Sequence, residues 1–153
     1  MDYNTLIAIH IISIIFLLGV GGGSAFYKFM ADRSGNLEVI VHTNKMVVLA
    51  DWLFTTPSAI LQPLTGIMLI NLLAIPLMTP WLLTSIVLYV FAAILWLYAV
   101  YLQIRMKKIA LTAQKEKGLL GDEYFKLVRY WIGLGFFSFF SMVGIFYLMV
   151  FKP

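Results

Sequence analysis

One imidazole, His10, stands in the run LIAIHIISIIFLLGVGGG (Leu6–Gly23), where Ser13 is the other polar side chain. Further along, Asp51, Thr55, Ser58, Gln62 and Thr65 follow one another at spacings of four, three, four and three. At about 100° per residue these five share a helix stripe roughly 80° wide. A buried imidazole offers two chemistries: ligation of a metal through its neutral nitrogen, or a hydrogen bond that ties two helices together. A carboxyl group heading a polar stripe, as Asp51 does, can pass a proton inward, or it can pair with Lys28, Lys45 or Arg129.

The surroundings of these groups are lipid-like. The chain has 153 residues, of which 62% are hydrophobic and 12% charged, about half the charged share of a soluble domain. It contains no cysteine, which excludes disulfides, thiolate metal sites, thiol nucleophiles and thioether-linked heme. Asp2 precedes the first apolar run without a Lys or Arg and no small-x-small cleavage pattern follows, so the first helix is expected to stay in place.

Four apolar segments are long enough to cross a bilayer, for which about 20 helical residues suffice. They fall near 6–26, 47–72, 81–101 and 130–151, within a single domain covering 1–153. The expected fold is all-α, an integral membrane four-helix bundle. Pro57 and Pro63 predict a bent second span, and NLLAIPLMTP (71–80) is a tight connection. Ten of the eleven Lys and Arg residues border the loops after spans one and three, and only Lys152 lies beyond span four. The positive-inside rule makes those two loops cytoplasmic and sets both termini outside, periplasmic in a bacterial inner membrane. The basic stretch IRMKKIALTAQKEKGLLGDEYFKLVRYW (104–131) reads as a solvated connector that prolongs span three and returns along the membrane surface, not as a nucleic-acid site. Trp81, Tyr101, Tyr130 and Trp131 read as interfacial anchors.

Polar groups in hydrocarbon must turn toward the bundle interior. On span one His10, Ser13, Leu17, Gly21 and Ser24 share a side, where Gly21 gives room for a neighbouring helix or a flat cofactor, while Gly19 and Gly23 project oppositely and suit packing between copies of the chain. Span four adds Gly135, Ser138, Met142 and Met149. By depth, His10 shares the outer region with Thr65, Met68, Thr84, Ser85, Tyr147 and Met149. As a ligand His10 would hold heme iron, with Thr65, Ser85 or a backbone carbonyl accepting from its second nitrogen and Met68 or Met149 as sixth ligand. His42 lies a membrane thickness away, so one chain cannot form a bis-histidine heme.

Several stretches resemble a known family. IAIHIISIIFLLGVGGGSAFYKFMADR is similar to the first span of the HemJ-type protoporphyrinogen oxidases. TTPSAILQPLTGIMLI is similar to their second span through Pro57, Leu61 and Gly66, PWLL to the start of their third, and LMVFKP to their ending. The whole pattern also resembles a bacterial family of small four-span proteins of unknown function, related to HemJ and to CopD-type copper-resistance membrane domains. The resemblance implies heme b on His10 in a membrane oxidoreductase. Where the HemJ-type proteins carry a lysine in span three this chain has Ser85, and it lacks their later histidine and their Asn-Glu pair.

Two functions follow as expectations. One is a heme b protein of the inner membrane engaged in electron transfer, with a quinone or a membrane redox protein as partner. The other is a cofactor-free partner subunit, or a module handling a small solute or copper.

Overall fold

The computed structural model describes residues 2–152. Five α-helices follow in order: α1 (Tyr3–Arg33), α2 (Leu37–Ala50), α3 (Thr56–Leu72), α4 (Pro80–Lys115) and α5 (Asp122–Phe151). A π-helical turn, Asp51–Thr55, joins α2 to α3, so Leu37–Leu72 forms one continuous rod of 36 residues. The chain thus makes four rods, each long and apolar enough to cross a membrane. At 1.5 Å per residue they run about 45–54 Å, well beyond a hydrocarbon core of about 30 Å.

Local chemistry sets the ends. Asn36 caps α2 by accepting from the backbone N–H groups of Glu38 at 2.9 Å and Val39 at 3.3 Å. Pro80 starts α4, where its missing N–H costs nothing. At the ends of α3 and α4, Ala74 and Lys117 take left-handed backbone angles (φ 50° and 51°). The following N–H groups then close back on the helices, Ile75 to the Ile70 carbonyl and Gly118 to that of Ala113.

Both long connections of the sequence reading are corrected; the first shrinks to the three residues between Arg33 and Leu37. α4 continues fourteen residues past the expected end at Tyr101, and the chain returns as α5 packed antiparallel against it, not along the membrane surface. Most of the supposed solvated connector is therefore helix. Tyr124, Leu127 and Val128 are buried in it, because an antiparallel partner gives its apolar side chains somewhere to go.

The rods form a ring. α1 packs on α2 and α3, α2 on α4, α4 on α5, and α5 touches α1. At the end bearing the basic residues, Ile40, Val41, Leu102, Met106, Tyr124 and Trp131 belong to one core; a smaller cluster of Ile14, Ala92, Met142 and Ile145 sits nearer the termini. α4 presents two rows at seven-residue spacing to this interior. Ser85, Ala92, Ala99, Met106 and Ala113 form one row, all buried and all small but Met106. Leu82, Tyr89, Trp96, Gln103 and Ala110 form the other, whose middle three members carry polar tips. A seven-residue repeat keeps one helix face turned to its partners.

Candidate functional site

Two prolines shape the second rod. Pro57 has no N–H to offer the preceding turn, and its ring crowds the carbonyl four residues back. The chain widens just before it: the Thr56 N–H bonds the Asp51 carbonyl, five residues behind. Such π turns often mark functional sites. Here the turn directs Asp51 and Thr55 inward while Trp52, Leu53 and Phe54 stay exposed. Pro63 repeats the deletion one level up. The carbonyl it leaves without a helical donor is that of Ala59, and the Tyr89 hydroxyl on α4 donates to it.

Between the two core clusters lies a cavity of about 770 Å³, within the range of small-molecule sites. Every rod contributes to its wall: Leu17 and Gly21 from α1, Ala59 from α3, Ala92 from α4, Gly135 and Met142 from α5. Small residues make the room. At the end toward the basic loops, Asp51, Thr55, Trp96 and Gln103 supply polar groups. Asp51 Oδ2, Thr55 Oγ1, Trp96 Nε1 and Gln103 Oε1 are all buried with no hydrogen-bond partner among the described residues. Buried polar atoms are nearly always satisfied, so four orphans around one space mark a site for a molecule or waters. The set has two donors, the indole N–H and the threonine hydroxyl, and two acceptors, the carboxyl and amide oxygens.

The expected ion pair of Asp51 with Lys28, Lys45 or Arg129 does not form. Among the described residues no cation lies within ion-pair distance of Asp51, and Thr55 and Gln103 face its carboxyl group instead. Lys28 is engaged elsewhere, in a network whose other members Asn44 and Tyr124 are buried and Asp32 partly buried. Its ammonium pairs with Asp32 Oδ2 at 3.0 Å and donates to the Tyr124 hydroxyl at 3.0 Å. That hydroxyl donates to Asp32 Oδ1 at 2.6 Å and accepts from Asn44 Nδ2 at 2.8 Å. Lys28 also lies over the Trp131 ring, 5.7 Å from its centre. Trp131 is buried and walls the cavity, so it is not an interfacial anchor; Tyr101 and Tyr130 are exposed.

The polar stripe of the second rod divides. Asp51 and Thr55 face the cavity, Ser58 is buried between, and Gln62 and Thr65 meet His10. The Thr65 hydroxyl donates to the Leu61 carbonyl at 2.7 Å, so it accepts from His10 Nδ1–H at 2.8 Å. His10 Nε2 is then the unprotonated nitrogen, and it accepts from Gln62 Nε2 at 3.1 Å. The ring edge rests against Gly66, where an added Cβ would sit 3.5 Å from Cε1. His42 lies twenty residues before Gln62 on the same rod, about 30 Å away along it.

A heme on His10 does not fit this arrangement. The lone pair that iron needs is held by Gln62, and neither His10, Met68, Ser85 nor Met149 lines the large cavity. Gly21 does line it, about 16 Å along α1 from His10. Ser85 is buried and donates to the Trp81 carbonyl at 2.7 Å. Met68 is exposed, and Met149 packs beside the cluster around Ile145. Among the described residues no three His, Cys, Asp or Glu side chains are grouped to hold a metal ion.

Tyr89, Trp96 and Gln103 are the site residues that the sequence reading missed. Their seven-residue spacing was the available signal, and ending span three at Tyr101 cut the row before Gln103.

Fold and site define an all-helical integral membrane protein whose four-rod bundle encloses a cavity with polar groups at one end. Residues 4–153 match a family described as "Predicted integral membrane protein (DUF2269)", and the chain belongs to that family. No curated protein and no solved structure matches the chain.

Proposed function

We propose that this protein is a membrane-embedded binding module for a lipid-soluble molecule with a polar ring head, of the isoprenoid quinone class. The observation that carries the reading is the group of four unpartnered polar atoms on Asp51, Thr55, Trp96 and Gln103, set in an otherwise apolar cavity. A quinone head has carbonyl oxygens to accept from the indole N–H and the threonine hydroxyl. In its reduced form, hydroxyls donate to the carboxyl and amide oxygens. The isoprenoid tail suits the apolar walls. The resemblance of the chain's spans to the HemJ-type proteins favours a redox-active occupant. The bias of basic residues favours a bacterial inner membrane with both basic loops in the cytoplasm.

The test is a titration of the protein in lipid nanodiscs with a decyl-chain benzoquinone, read by quenching of tryptophan fluorescence. Trp96 and Trp131 both border the cavity. Saturable quenching that Gln103→Leu weakens at least tenfold supports the reading. Quenching that rises linearly, alike in wild type and Gln103→Leu, reports partition into lipid and overturns it.

A further inference from the structure

We propose that the cavity opens sideways into the bilayer between α3 and α4, and that Tyr89 is the latch of this portal. Although joined by a short connection, α3 and α4 have almost no direct packing. Trp52 and Ile60 on the second rod and Leu97 on α4 line the cavity, yet they are 61%, 57% and 60% exposed. Side chains that face both the cavity and the outer surface are the rim of an opening, and that surface lies in lipid. On the opposite side Phe136 and Phe140 of α5 also line the cavity and are exposed, but there the Phe139 ring crosses to α1, within 3.4 Å of where a Cβ on Gly22 would lie.

One hydrogen bond among the described residues links α3 to α4, the Tyr89 hydroxyl to the Ala59 carbonyl. Both residues line the cavity. The bond exists because Pro63 withholds the N–H that Ala59 would otherwise receive. A latch built this way can release without breaking any helical hydrogen bond. Its return is favoured because the carbonyl left behind is unsatisfied in apolar surroundings. Tyr89 is therefore a positioning residue at the portal. What passes through the portal rests on the function proposed above; the portal's existence does not.

The absence of cysteine lets two introduced cysteines, Leu64→Cys on α3 and Val90→Cys on α4, carry the only spin labels. Double electron–electron resonance in nanodiscs then reads the gap between the two helices with no ligand present. The latched protein is expected to give one narrow distance distribution. Tyr89→Phe, which keeps the ring, should lengthen and broaden it by several ångströms. Pro63→Ala restores the helical donor to Ala59 and should act likewise, while the combined variant should exceed neither single change. An unchanged distribution in folded Tyr89→Phe overturns the latch, as does a shift in Pro63→Ala that Tyr89→Phe fails to share. Failure of the quinone titration with a positive result here would leave the portal standing and refute only the ligand class.

Discussion

Lys28 and Tyr124, 96 positions apart in the chain, meet at 3.0 Å in the buried end of the bundle. The Tyr124 hydroxyl is shared by Lys28, Asp32 and Asn44, so its removal leaves three buried polar groups each short of a partner. Tyr124→Phe is expected to cost about 2–3 kcal/mol. Lys28→Met, which strands a buried carboxylate, should cost about 3–5 kcal/mol. Denaturant unfolding in detergent, followed by circular dichroism, measures both. A cost below about 0.5 kcal/mol for Tyr124→Phe would show that water replaces the hydroxyl.

His10 is a tie between α1 and α3, with both nitrogens in use. Thr65→Val removes one of those bonds and should lower stability by about 0.6–1.7 kcal/mol, the range for polar contacts between membrane helices. The visible absorption spectrum of protein from heme-supplied cells should be the same for wild type and His10→Ala. A Soret band present in the wild type and lost from folded His10→Ala would show that iron displaces Gln62.

Room in the cavity comes from small side chains, and Ala93 is one of those that line it. Ala93→Phe should abolish saturable quinone binding while holding stability level or raising it by about 0.5–2 kcal/mol, as cavity filling does. Fluorescence titration and thermal unfolding of the same sample check both halves of this statement. Loss of binding accompanied by loss of fold would fail it.

The end of α4 offers a gain. Lys117 holds a left-handed backbone angle at φ 51°, a conformation that costs a residue with a Cβ about 1–2 kcal/mol. Lys117→Gly removes that cost but adds about 0.5–1 kcal/mol of unfolded-chain entropy, for a net gain of roughly 0.5–1 kcal/mol. Gln114→Gly, three residues earlier in the helix, should go the other way by a similar amount. Equal signs in thermal unfolding would contradict the assignment of Lys117 as the turning residue.

The inward faces of two rods were legible in the sequence. The stripe from Asp51 to Thr65 and the face of Leu17, Gly21 and Ser24 follow from helix period alone, and these residues lie inside the bundle. The pairing of Lys28 with Asp32 obeys four-residue spacing, yet counting Lys28 among the loop charges hid it. Helix-ladder arithmetic from Pro63 points to the Ala59 carbonyl as one in need of a donor, a step beyond the bend read from that proline. That Tyr89 would answer was not legible, since it depends on how α4 is rotated and how deep it sits beside α3.

The sequence by itself determined that four helices lie in lipid, that their basic residues gather at one end, and which side chains share a face. Each of these follows from hydropathy, charge or a period of 3.6 residues, quantities that are local along one rod. Only the tertiary structure decided that Gln62 and Thr65 hold His10, that Tyr124 rather than Asp51 meets Lys28, and that Trp96 and Gln103 join Asp51 and Thr55 around one space. Those partnerships depend on the relative rotation and depth of different rods. Packing of the whole ring fixes both, with small residues opening the centre and prolines exposing carbonyls for a neighbouring helix to satisfy.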